Sequence, residues 1–173
     1  DEGYELVSLE APHICDLFPN KRQWFKLSYL ESYLKKEIDL TAQNLEKRIQ
    51  QFVNKTARTC LPYVIIGHSQ GAMIAIRLAL RGQLRPQQVL AIAVSGPFII
   101  GEPKPAQVPE ISIVHGALDM MMPLKKTRQD LAYLKEENIP IDLQVLDTMS
   151  HEIDAEALSC CKKRIEIFQK FDL

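Results

Sequence analysis

A serine, an aspartate and a histidine follow one another along this chain in settings that suit nucleophilic chemistry. Ser69 lies in Gly67-His68-Ser69-Gln70-Gly71, Asp119 closes His115-Gly116-Ala117-Leu118-Asp119, and His151 stands in Ser150-His151-Glu152. A serine hydroxyl is a weak nucleophile at neutral pH and needs a neighbouring base. An imidazole can take its proton and later hand it to a leaving group. A carboxylate fixes the tautomer of that imidazole and stabilises its charged form. Each residue alone has a plainer reading, a solvated loop aspartate or a surface histidine. Together, in the order Ser…Asp…His, they make a catalytic set. Asp16, Asp130, Asp142, Asp147 and Asp154 are weaker candidates for the acid. Of these only Asp147 directly follows a predicted strand, and it shares a loop with His151. His68 is nearer Ser69 in sequence, but at a sharp turn its side chain points away from Oγ, which suits packing or pocket lining. His115 ends a strand and reads as structural; His13 has no assigned role.

Three elements must hold these residues. Tyr63-Val64-Ile65-Ile66 is an unbroken apolar run that reads as a central parallel strand. It stops at Gly67, and Ala72 to Leu80 then reads as a helix apolar nearly all round. G-x-S-x-G alone arises by chance in about 5% of chains this long. Between a buried strand and a buried helix it fits a nucleophile elbow, a tight turn that strains the serine and pushes its Oγ out above the sheet. The two glycines lack Cβ atoms, so strand and helix can approach closely. Val89 to Val94 and Ile111 to Val114 are further buried strands, and Ile141, Leu143 and Val145 alternate as in an edge strand.

The rest of the chain supplies the intervening helices. Leu45, Ile49, Phe52 and Val53 fall at helical spacing behind Asp39 or Thr41 as a possible cap. Leu124, Thr127, Leu131 and Leu134 mark a second amphipathic helix. Leu158, Cys161, Ile165 and Phe168 mark the inner face of a C-terminal one. Tyr4 to Leu9 reads as a first strand, and Pro19-Asn20 as a turn before the Trp24-Phe25 pair. Trp24 either packs its loop on the core or walls a substrate pocket. Strands alternating with helices predict a single α/β domain over residues 1–173, its mostly parallel sheet covered by helices on both faces. Ser69, Asp119 and His151 then share the carboxyl edge of that sheet, where ligands collect in such folds.

Composition narrows the function classes. The 173 residues carry a net charge of −1 with no long charged block, which argues against nucleic acid and anionic membrane surfaces as partners. No apolar run reaches the ~20 residues that span a bilayer. The opening Asp1-Glu2-Gly3-Tyr4 does not read as a signal peptide, and Cys15, Cys60, Cys160 and Cys161 lack metal-ligand spacing. Reduced thiols in a cytoplasmic protein without metal or cofactor are the expectation; the oligomeric state is left open.

At this point the chain resembles the acyl-protein thioesterase, carboxylesterase and lysophospholipase family of α/β-hydrolases, over nearly its whole length. Glu10-Ala11-Pro12 is similar to the family's strand-end Ala-Pro, and Trp24-Phe25 to its Trp-Phe-Asp segment, with Lys26 in place of Asp. Gly67-His68-Ser69-Gln70-Gly71 resembles Gly-Phe-Ser-Gln-Gly, with His68 for Phe. Ser95-Gly96, the His115-to-Asp119 run with Pro123, and Ser150-His151-Glu152-Ile153 match later motifs. The resemblance implies an α/β-hydrolase fold with Ser69 as nucleophile, Asp119 as acid and His151 as base. A small acyl ester or thioester is the implied substrate, and the Gln70 N–H an oxyanion donor. Trp24 and Met121 are the candidate substrate contacts. The run Met120-Met121-Met122 could line a pliable acyl pocket or fill core gaps. The family also carries an earlier strand ending in His-Gly-x-Gly, which supplies a second oxyanion donor; no such segment precedes the elbow here, so the domain is N-terminally incomplete relative to the family. Losing one such donor costs about 10²–10³ in turnover. The alternative function is therefore a hydrolase-fold binding module with little turnover.

Overall fold

A computed structural model describes residues 5–56, 62–94 and 107–169, with side chains as far as 165. Two short strands, β1 (His13–Ile14) and β2 (Arg22–Gln23), pair antiparallel around the turn at Pro19-Asn20. Helix α1 (Glu31–Lys55) follows, and then the alternating core: β3 (Val64–His68), α2 (Gln70–Arg81), β4 (Gln88–Ile92), β5 (Glu110–Gly116), α3 (Leu124–Glu136), β6 (Ile141–Leu146) and α4 (Ala155–Gln169). The four long strands form a parallel sheet in the order β3-β4-β5-β6, with Ile66 opposite Leu90 and Ser112 opposite Asp142.

That order explains the layering. Each successive strand adds on the same side, so right-handed crossovers put α2 and α3 on one face. They share a core there with Ile38, Ala42 and Leu45 of α1 and with Val89, Ala91, Ile111 and Ile113 of the sheet. The opposite face, with Leu90, Ile92 and Val114, is covered by α4 through Ala157 and Cys161. Helices thus lie on both faces, three against one. Helix α2 is buried along nearly all its length and ends at Gly82, whose φ of 66° is the left-handed C-cap that glycine adopts freely.

Several sequence expectations are corrected: β3, expected as a central strand, lies at the end of the described sheet, and Ile66 is 49% exposed. Glu5 to Leu9 form no strand, and Leu6 is 88% exposed. The segment belongs to neither of the described sheets. Helix α1 begins at Glu31 rather than near Asp39 or Thr41. Leu158 is 58% exposed and Ala157 takes its place on the inner face of α4, beside the expected Cys161 and Ile165. Ser95-Gly96, Cys60 and the Phe168 side chain lie outside the described residues. Among the described residues, no helix is long and apolar enough to cross a membrane.

Asp39 is not a cap but the centre of the α1–α2 interface. Its Oδ1 accepts Arg77 Nε at 2.7 Å and Arg81 Nη1 at 3.1 Å, while Arg81 Nε reaches Glu46 at 3.1 Å. Burial alone would push the Asp39 carboxyl up, but the Arg77 hydrogen bond and the charges of Arg77 and Arg81 outweigh it and hold the carboxyl below its ordinary value. The unfolded chain therefore takes up this proton first. The contribution is full above about pH 4, the ordinary aspartate range, and is lost as pH falls through the lower native value. Asp39→Ala takes away a carboxylate with which the buried Arg77 is paired. It is expected to destabilise the fold by about 3 kcal/mol at neutral pH. The gap to wild type should narrow below about pH 4, as read from urea midpoints.

Candidate functional site

Ser69 follows β3 directly and is the N-cap of α2. Its φ of 54° and ψ of −117° lie in a region that non-glycine residues rarely enter. Such backbone costs about 1–3 kcal/mol and persists only where its surroundings impose it. The surroundings here are the crossing of β3 and α2: a Cβ on Gly67 would strike the carbonyl of Gly71. A Cβ on Gly71 would meet only the edge of the Trp24 indole, at 3.4 and 3.9 Å, so of the two elbow glycines it is Gly67 that the turn requires. The serine amide is tied to Ile92 O at 3.0 Å, fixing the elbow against β4.

Asp119 lies just past β5 and is buried. Its Oδ1 accepts the backbone N–H groups of Met121 and Met122, at 2.9 and 2.8 Å. Its Oδ2 lies 2.9 Å from His151 Nδ1. A carboxylate can only accept, so Nδ1 carries the proton and donates it. Nε2 of His151 is then bare, and at 3.0 Å it accepts the Ser69 hydroxyl. The structure thus brings Ser69, His151 and Asp119 from three strand ends into one hydrogen-bonded line. The other aspartates are engaged elsewhere or exposed. Asp130 pairs with Lys126, Asp142 with Arg164, Asp16 with Gln23 and Asp154 with the Ala157 amide, and Asp147 is exposed.

The neighbouring residues lock this line in place. His115 is buried, and its Nε2–H donates to Met122 O at 2.8 Å, bracing the loop whose amides hold Asp119. Burial pushes its pKa down, against the pull of the Met122 carbonyl. The Gln70 side chain accepts the Trp24 N–H through Oε1 at 2.9 Å and donates to Phe25 O through Nε2 at 3.1 Å. The sequence marks Gln70 and Trp24-Phe25 separately but carries no signal of this clamp between them. Gln70 is the first residue of α2, a position whose backbone N–H has no partner within the helix and sits at the positive end of the helix dipole.

Trp24 is half-buried against the main core, and Phe25 is fully buried, so their loop is packed down. Met121 and Met120 do not fill core gaps: their side chains are 69% and 91% exposed, beside the buried acid. Met122 does pack on the core. Among the described residues, no group of three or more His, Cys, Asp or Glu side chains is placed to hold a metal ion.

Comparison with known proteins agrees with this architecture. Esterase PE8 superposes with a TM-score of 0.80 at 22% identity, over 92% of this chain and 76% of that one. Arabidopsis thaliana SOBER1 gives a TM-score of 0.75 at 20% identity, over 94% of this chain and 81% of that one. Zea mays acyl-protein thioesterase 2 gives 0.68 at 16% identity, over 84% and 71%. At such identities the likeness is one of fold, and the fold is that of α/β-hydrolases. The phospholipase/carboxylesterase family profile matches residues 2–169, nearly the whole chain, and the chain belongs to that family.

Proposed function

We propose that this protein is a serine hydrolase that cleaves carboxylic ester or thioester bonds through an acyl-enzyme on Ser69. The observation that carries the reading is the continuous line from Ser69 Oγ through the His151 ring to the buried Asp119 carboxylate, with contacts of 3.0 and 2.9 Å. Family membership supports the class of bond.

In this reading Ser69 Oγ attacks the acyl carbonyl carbon as its proton passes to His151 Nε2. Asp119, held by two amides, keeps the ring in the correct tautomer and stabilises the imidazolium. The Gln70 N–H, at the start of α2, receives the developing oxyanion. Collapse of the tetrahedral adduct expels the alcohol or thiol, which takes the proton from Nε2. Water then gives a proton to Nε2 and attacks the acyl-enzyme. The acid leaves and Oγ regains its proton. The exposed Met121 side chain, polarizable and adaptable, is the proposed acyl contact, with Trp24 as the wall on the elbow side.

A fluorophosphonate probe tests the reading. The wild type is expected to gain one probe mass on the peptide containing Ser69. Ser69→Ala is expected to gain none, and His151→Ala to react only weakly. A wild type that stays unlabelled at Ser69 would instead favour the binding-module alternative.

A further inference from the structure

His68 precedes the nucleophile and ends β3, yet it does more than pack. Its Nε2 lies 2.8 Å from the backbone carbonyl oxygen of His151. A carbonyl only accepts, so His68 carries its proton on Nε2 and donates it. The two imidazole rings sit 5.1 Å apart, tilted by 44°. One side chain of the elbow thus grips the main chain of the very residue whose ring must meet Ser69 Oγ.

The loop between β6 and α4 that carries His151 has other anchors on one side. Leu118 N donates to Met149 O at 3.1 Å, and the ring is held by Asp119; both belong to the loop after β5. Asp154 caps α4 through the Ala157 amide at 2.8 Å. None of these fixes the loop against the elbow. Among the described residues, the His68 bond is the one from the elbow to the main chain of that loop. Phenylalanine, which the resembled motif carries here, could fill the space but has no proton to donate.

We propose that His68 is a positioning residue: its Nε2–H···O=C bond sets the height of the His151 loop over the nucleophile. The inference rests on the acyl-transfer reading above. It concerns the reacting geometry and not the hold on substrate. Misplacing a reacting group by about 1 Å can cost up to ~10²-fold in rate, so the effect falls on kcat.

Two variants separate the bond from the bulk. His68→Phe keeps a ring and removes the donor; His68→Gln keeps a donor at similar reach. With a p-nitrophenyl acyl ester, His68→Phe is expected to lose about tenfold in kcat with KM little changed, whereas His68→Gln stays within about threefold of wild type. Equal losses in both variants, or an undiminished kcat in His68→Phe, would overturn the proposal. Nitrogen-15 NMR of the wild type adds a check that needs no variant: His68 is expected as the Nε2–H tautomer with a slowly exchanging proton, and an Nδ1–H tautomer would overturn it too. Failure of the acyl-transfer reading shows differently, as absent probe labelling at Ser69 in the wild type with the tautomer result intact.

Discussion

Ser69→Ala and His151→Ala are each expected to lower kcat/KM toward p-nitrophenyl esters by about 10⁴–10⁶-fold. The two losses should not add. Once the hydroxyl is gone the imidazole has no proton to take, and once the imidazole is gone the hydroxyl is too weak a nucleophile to profit from its position. The double variant should therefore resemble either single one, which distinguishes a cooperating pair from two independent binding contacts. Ser69→Ala removes one hydroxyl from a partly buried residue, whereas the His151 side chain is only 17% exposed and its removal leaves a gap beside Asp119. The thermal midpoint of Ser69→Ala should move little, and a cycle of the two variants measured with one ester checks the whole pattern.

The second large effect is expected at a residue that touches no substrate. Gly116 ends β5, where a Cβ would strike the carbonyl oxygens of Met149 and Ser150. Both obstacles are main chain and cannot swing aside. They belong to the loop that delivers His151, which runs hard against the strand that delivers Asp119. Gly116→Ala must push the two loops apart or unfold them. The expected result is a loss of at least about 2 kcal/mol in stability. The surviving folded fraction should also lose about 10²-fold in kcat, because the base no longer meets the serine. Urea unfolding and active-site titration with a fluorophosphonate separate the two contributions. Full activity per folded molecule would show that the loops can part without moving the base.

These two expectations differ in how much of their basis the sequence carries. Apolar runs with abrupt polar ends marked β3, β5 and β6, and residues just past strand ends share one edge of a parallel sheet whatever the loop details. Ser69, Asp119 and His151 could therefore be grouped before any coordinates. The close pass of the Met149 backbone by Gly116 could not, because it depends on how closely the loop and the strand end approach. Asp39 shows the same limit. Its type suits a helix cap, but its partners Arg77 and Arg81 lie on another helix, and pairing with them placed it inside α1 rather than at its start. For α4 the expected face holds at Cys161 and Ile165 and fails only at Leu158, where small Ala157 lies against the sheet and the larger Leu158 turns outward. Glu5 to Leu9 has the composition of a strand but belongs to neither described sheet, because local pattern alone does not supply the neighbouring strand that a ladder requires. At the elbow, backbone geometry said that His68 points away from Oγ. That it meets the carbonyl of His151 follows only from the folded loop.

The most direct test of acyl transfer is to catch the acyl group. The enzyme is mixed with a p-nitrophenyl acyl ester, quenched in acid within the first turnovers and weighed intact, and its peptides are mapped. The expected result is a mass gain of one acyl group on the peptide containing Ser69, matched by an initial release of p-nitrophenolate close to the enzyme concentration. Ester hydrolysis with no acyl group on Ser69, at a rate that Ser69→Ala leaves unchanged, would contradict it.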